Sequence, residues 1–310
     1  AERFSKFLLG ISQDFQQVAP VYRIDGDPLM RETILPLPGY RNEGPVRLGN
    51  QAQEQVQNDV YGQMCLSLEP LYTDARLSAY RTHPSLAVVR NLVKAMALTV
   101  DKPDAGIWEF RGFKRLNSVT SLFQWAGALA AAKIARGHGD VELERDALKV
   151  SNAAAEIIES CWDEELGAYV SHVGSKDLDA GTLLLITMGY LRPDDPKAAS
   201  HVDALARGLL SREGYIHRYR APDDFGETHS CFLICHFWYA ESLAMLGRTK
   251  QAEAEIRRIL ATANHVGLMS EDVDAVDGGQ WGNFPQTYSH VGLINAVARL
   301  ARRLDTLPWR

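Results

Sequence analysis

Apolar residues recur at helical spacing along nearly the whole chain, in about ten stretches, with almost no strand-like alternation. A chain patterned this way buries its apolar stripes helix against helix. The first stretch is 2–16, with Phe4, Phe7, Leu8, Ile11 and Phe15 on one side. A second starts near Asn50, where Gln51, Glu54, Gln55, Asn58 and Asp59 share a polar face by i, i+3 and i+4 spacing. That face is either simply solvated or a rim of hydrogen-bonding groups for a polar ligand. Further helical stretches are 84–99, 119–135, 141–161, 179–190, 197–210, 230–246, 250–264 and 286–304. Stretch 119–135 is dense in alanine, as close helix packing requires. Stretch 141–161 is amphipathic, with Leu143, Ala147, Val150, Ala154 and Ile157 as its buried stripe. Ala/Leu-rich helices alternating with amphipathic ones predict buried inner and half-exposed outer helices, the pattern of a double-layered helical toroid. An α-solenoid competes, but no fixed-period repeat is present.

Between the helices lies a long Pro- and Gly-rich loop over 18–49, a turn at 163–173 around Gly167, and an alternating, extended-looking segment at 214–220. Loops of such length in a compact protein usually serve function. The Asp194-Asp195-Pro196 sequence is expected to start the helix that follows.

The formal net charge of -6 leaves no basic footprint for nucleic acid. No apolar run reaches the ~18 residues that span a bilayer. The four cysteines, Cys65, Cys161, Cys231 and Cys235, form no CxxC pair, and a reducing, cytoplasmic compartment fits them, with secretion not excluded. Zinc on Cys231 and Cys235 with His229 or His236 matches no common spacing, so neither a metal nor a cofactor is expected. The first residues, Ala1-Glu2-Arg3-Phe4, resemble neither a signal nor a transit peptide, and a start without Met is expected of a fragment or a processed product.

Two acidic stretches carry chemistry. In Pro103-Asp104-Ala105-Gly106-Ile107-Trp108-Glu109-Phe110-Arg111-Gly112 an acid stands beside an indole and near an arginine. A carboxyl against an indole is poorly solvated, which favours its neutral form and suits it to donate a proton. Trp108 offers a stacking face for a sugar and Arg111 a hydrogen-bonding fork. The plainer alternative is a buried Trp beside a surface Glu. Near the C-terminus, Ser270-Glu271-Asp272-Val273-Asp274 is followed by Gly278-Gly279-Gln280-Trp281-Gly282-Asn283. Here Asp272, Asp274 and Asp277 suggest a calcium loop, but Val276 falls on a ligand position and the glycine comes one place late. A solvated acidic turn is one alternative. The other is Glu271 as a general base that activates water while Glu109 protonates a leaving sugar oxygen. Inversion needs the two carboxyls roughly 6.5–9.5 Å apart, on opposite faces of the sugar.

The motifs Leu37-Pro38-Gly39-Tyr40, Pro45-Val46-Arg47-Leu48-Gly49-Asn50, Glu54-Gln55, Asp59-Val60-Tyr61-Gly62, Gly106-Ile107-Trp108-Glu109, Leu178-Asp179-Ala180, Ser270-Glu271 and Gly282-Asn283-Phe284-Pro285-Gln286 with Ser289-His290 occur in order along the chain. With them the chain resembles glycoside hydrolase family 15, the bacterial glucoamylase, glucodextranase and trehalase group. The resemblance implies an all-α (α/α)6 toroid and inverting hydrolysis of α-glucosidic bonds with release of β-glucose. It places the general acid on Glu109 and the general base on Glu271. It puts Trp108 and Arg111 on substrate-contacting positions, and the neighbouring motifs add Tyr40, Arg47, Asn50, Gln51, Trp281 and Asn283 as candidates.

Against the family pattern the chain shows about ten of twelve barrel helices, so residues 1–310 are expected to form one helical-barrel domain without the first two helices and the N-terminal β-sandwich. A second polypeptide would then complete it. Ser121 stands where the family often has lysine, Leu129 near where it has an acid, and His229-Ser230-Cys231-Phe232 where it has an acid-Gly-Ala-Phe segment. These changes bear on linkage preference and leave both acids in place. The expected substrate is an oligosaccharide, dextran-type glucan or other glucoside. Competing functions are trehalose hydrolysis, a phosphorylase, against which Glu271 argues, and a non-catalytic carbohydrate-binding protein.

Overall fold

A computed structural model describes residues 2–11, 18–27, 31–80 and 85–305. Among these are ten α-helices and seven strands of two or three residues. Phe15 and Pro84, assigned above to helices, lie outside the described residues. The chain divides into two compact units, Ala1–Ile157 and Ile158–Arg310.

The first unit holds α1 (Glu2–Ile11), the hairpin of β1 (Thr33–Leu35) and β2 (Val46–Leu48), α2 (Asp59–Thr73), α3 (Ala87–Thr99), α4 (Ser118–Gly137) and most of α5 (Val141–Glu159). Its centre is the crossing of α2 on α4. A Cβ on Gly127 would come 2.3 Å from Gly62 Cα, and one on Gly62 would come 2.0 Å from the Phe123 carbonyl oxygen, so two glycines permit this approach. Leu68, Leu71, Leu92, Met96, Ile134 and Leu143 close the core around it. The alanines of α4, among them Ala128, Ala131, Ala132 and Ala135, are fully or nearly fully buried, as their density in the sequence suggested.

One expectation fails here. No single helix runs on from Asn50. Asn50 Oδ1 accepts from Ala52 N at 2.8 Å and caps a 3-10 turn, Gln51–Glu54; residues 55–58 then break the helix, and α2 starts only at Asp59. Gln51, Glu54, Gln55, Asn58 and Asp59 therefore share no helical face. The break has a cause in the polar groups of Gln55 and Asn58, which bond to a neighbouring loop instead of to helix or solvent.

The second unit contains the hairpin of β3 (Trp162–Asp163) and β4 (Ala168–Tyr169), α6 (Leu184–Thr187), α7 (Pro196–Leu209), β5 (Ser230–Phe232), α8 (Leu233–Met245), α9 (Thr249–Leu260), β6 (Asp272–Asp274), β7 (Gln280–Trp281) and α10 (Thr287–Arg303). Helix α8 is buried nearly all round and packs on α9 and α10. Asp195 Oδ1 caps α7 by accepting from Lys197 N at 2.8 Å, with Pro196 at the first helical position. The helical pattern at 230 begins as strand β5, which pairs antiparallel with β6, itself paired with β7. Stretch 179–190 resolves into a 3-10 turn, Ala180–Leu183, running into α6. His201 is wholly buried: its Nδ1 accepts from Tyr169 N at 3.2 Å, so Nε2 carries the proton toward the Thr182 carbonyl at 3.1 Å, tying β4 and α7 to that turn. No helix among the described residues is long and apolar enough to cross a membrane.

Candidate active site

The loop between α3 and α4 carries Trp108, Glu109 and Arg111, and Asp104 anchors it. Asp104 pairs by backbone with Arg115, at 3.0 and 2.9 Å. Its buried carboxylate accepts from Asn58 N at 2.7 Å, Asn117 Nδ2 at 2.8 Å and Thr120 Oγ1 at 3.1 Å. Burial holds the Asp104 carboxyl above the usual carboxylate range even against these donors. A second set of bonds joins the loop to residues 55–58: Gln55 Nε2 donates to the Glu109 carbonyl at 2.8 Å, Ala105 N to the Val56 carbonyl at 3.0 Å, and Asn58 Nδ2 to the Lys102 carbonyl at 3.2 Å. Fixed from both sides, the backbone at Glu109 takes φ +58°, a left-handed conformation uncommon outside glycine.

Arg111, Arg47 and Gln51 meet on one residue that sequence reasoning did not single out, Glu32. Arg111 grips it through both terminal nitrogens, at 3.2 and 2.9 Å, Arg47 Nε lies 3.1 Å away, and Gln51 N donates at 3.3 Å. Gln51 Oε1 in turn accepts from Arg111 at 2.7 Å. The β1–β2 register, Thr33 opposite Leu48, brings Glu32 and Arg47 to one end of the hairpin. The bond to Arg111 pulls the Glu32 carboxyl below its ordinary range. Tyr40 is exposed, with the Arg41 guanidinium 5.2 Å from its ring centre. Thus Glu109, Trp108, Arg111, Tyr40, Arg47, Asn50 and Gln51 all belong to the first unit, where Asn50 also serves as the cap described above.

Glu271, Trp281 and Asn283 belong to the second unit. Glu271 is held by its backbone on both sides, its carbonyl accepting from Leu233 N at 3.0 Å and its N–H donating to the Asn283 carbonyl at 2.9 Å. One carboxylate oxygen, Oε2, accepts from Asn283 N at 3.1 Å and Asn283 Nδ2 at 2.9 Å. Among the described residues no hydrogen bond engages the other, Oε1. A Cβ at position 282 would come 2.9 Å from Oε2, which requires the glycine found there. The next residue, Asp272, sits in β6 opposite Trp281. Burial, then the charge of Glu271, pushes its carboxyl up to about 6, while Arg218 opposes. Arg218 is itself paired with Asp223 at 3.2 Å. The sequence showed Asp272 only as part of a calcium pattern, and Arg218 only within an alternating segment.

That calcium pattern is a closed turn. Asp274 Oδ1 accepts from Val276 N at 2.7 Å, and Asp277 Oδ1 from Gly279 N at 2.7 Å, so both acids cap their own backbone. Cys231 lies in β5 and Cys235 in α8, both buried, and His236 bonds Glu255 at 2.9 Å. Among the described residues no group of three or more His, Cys, Asp or Glu side chains could hold a metal ion.

The ten helices among the described residues place the chain with the all-α proteins, and the solved structures it resembles give the (α/α)6 toroid as its fold class. A solved glycosidase superposes with a TM-score of 0.71 at 21% identity, covering 99% of this chain and 82% of its own. A bacterial glucoamylase complexed with acarbose gives 0.70 at 16% identity, covering 97% of this chain and 46% of its own. The family model for glycosyl hydrolases family 15 matches residues 1–257 and 248–298, and the chain belongs to that family. A trehalase of Thermoplasma acidophilum is 30% identical over 92% of this chain and 48% of its own length. One of Mycobacterium tuberculosis is 29% identical over 97% and 45%. The chain spans about half the length of the curated relatives it matches.

Proposed function

We propose that this chain carries the catalytic acids of an inverting hydrolase that releases glucose from an α-glucosidic substrate, with Glu109 as general acid and Glu271 as general base. The observation behind the base is the Glu271 carboxylate itself. Asn283 fixes one oxygen, and among the described residues no hydrogen bond engages Oε1, as suits a group that must take a proton from water. Asn283, a candidate sugar ligand in the sequence, is better read as the holder of that base. Glu109 suits the acid role because its turn is bonded through Asp104 and Gln55 into a fixed conformation. In this reading Trp108, Arg111, Tyr40, Arg47, Asn50, Gln51 and Trp281 contact the sugar, Arg111 and Arg47 being pre-set by Glu32.

For the substrate, trehalose stands ahead of maltose, isomaltose, dextrin and dextran, because the relatives near 30% identity are named trehalases, whereas the bacterial glucoamylase shares only the fold. The same proposal keeps the chain as one helical-barrel domain, completed by two helices from a further stretch of polypeptide. The apolar side chains that α10 exposes, Tyr288 at 61% and Ile294 at 65% with Val291 and Val297 between and beyond, support that covering. Four buried, unpaired cysteines fit a cytoplasmic setting.

The test is glucose release from the five substrates by the purified chain, alone and with any polypeptide that accompanies it. Glu109→Gln and Glu271→Gln are each expected to lower kcat at least ~100-fold. Unchanged activity in either variant overturns the assignment, and binding without turnover in the unaltered protein favours the non-catalytic reading.

A further inference from the structure

The second unit holds a cavity of about 320 Å³ that the proposed chemistry does not use. Thr187 at the end of α6, Trp238 and Glu241 of α8, and Asn295, Arg299 and Arg302 of α10 line it. The three α10 residues share one side of their helix by i, i+4 and i+7 spacing. The volume is at the small end for ligand pockets. Glu241 is 5% exposed. Its ion partner Arg299 keeps Nε 3.8 Å from Oε2, beyond hydrogen-bonding distance, and turns another nitrogen to the Thr187 carbonyl at 3.4 Å. Among the described residues no hydrogen bond engages the Glu241 carboxyl. A buried acid normally has such donors, and here burial pushes the group up to about 7, with Arg299 opposing. Trp238 is half-buried, and Asn295 and Arg302 are exposed. The lining thus joins a carboxyl short of donors to an amide, a guanidinium and an indole.

We propose that this cavity is a second, non-catalytic binding site, which takes one hexose. Its mixed charges disfavour a small ion: Glu241 opposes an anion, and Arg299 and Arg302 oppose a cation. A zwitterion such as an amino acid needs separate anionic and cationic ends, whereas Arg299 stands beside Glu241. Hydroxyl groups both donate and accept. They supply the donors that Glu241 lacks and accept from Asn295 and Arg302. Trp238 offers the sugar ring an apolar side. Glucose is the first probe because the proposed hydrolysis releases it. Binding here and hydrolysis are separate measurements, so failure of one leaves the other standing.

The test is an NMR titration of the 310-residue chain with glucose, read at the Trp238 indole N–H, whose signal is identified by its loss in Trp238→Phe. That signal should move saturably, with a millimolar Kd. Glu241→Leu and Asn295→Leu should each weaken the response at least ~10-fold. Should Glu241→Leu fail to fold, Asn295→Leu and Arg302→Leu, at exposed positions, carry the test. No saturable shift, or a response undiminished in these variants, overturns the proposal. Movement of the Trp238 signal with glutamate or lysine but not with glucose overturns the ligand class. Loss of the glucose response when a polypeptide that covers α10 is bound means that polypeptide, not sugar, fills the cavity, and overturns it as well.

Discussion

The left-handed backbone at Glu109 costs ~1–2 kcal/mol, and the bonds from Gln55 and Asp104 hold it there. Glu32 does similar work for the Arg47 and Arg111 side chains. Two arginines converge on its carboxylate, and such charge-assisted pairs fix direction as well as adding energy. Glu32→Gln is expected to raise KM roughly tenfold with a smaller change in kcat, measured on the preferred glucoside. An unchanged KM would show that Arg47 and Arg111 do not need it. Both catalytic candidates were legible as residues, because acid, tryptophan and glycine recur around each. Glu32 was not. It stands 79 residues from Arg111 in a Pro- and Gly-rich loop, and only the β1–β2 pairing makes them neighbours. Asn283 was legible as a candidate, but its two bonds to the Glu271 carboxylate were not, since sequence spacing shows no hydrogen bond.

Among the elements, α4 was plain in advance from its alanines, whereas the start of α2 was misplaced. Helical spacing from Asn50 onward was real, but Gln55 and Asn58 give their hydrogen bonds to the acid loop, and tertiary bonding overrode local pattern. The α2–α4 crossing gives a sharp expectation. Gly127→Ala inserts a methyl 2.3 Å from Gly62 Cα, where backbone must move. The expected loss is about 3 kcal/mol, seen as a fall in Tm of roughly 5 °C or more. A wild-type Tm would mean the helices stand farther apart.

At the scale of the whole molecule, buried titratable groups pull stability in opposite directions. His201 is held down to about 4 by burial, with His217 and His236 also lowered. Their unfolded forms bind protons first, so the stability they give is present above ~6.5 and lost as pH falls through their folded values. Asp59 and Glu241 are pushed up to about 7, and Asp272 to about 6. Their unfolded forms release protons first, so the stability they give is present below ~4 and lost as pH rises through 6–7. Glu241 offers the clean check. It is buried on α8 with Arg299 Nε 3.8 Å away. Relative to wild type, Glu241→Gln should gain Tm as pH rises from about 4.5 to 7, then level off. A difference independent of pH would show that Glu241 does not titrate there.

The loop bearing Glu109 and the stretch from Gln55 to Asp59 are halves of a single casting, although more than forty positions of chain separate them. A chimera that borrows residues 103–117 from a relative would import a key without its lock, and its acid would lose its bearing. Loop exchange meant to alter linkage preference must therefore transplant both stretches together.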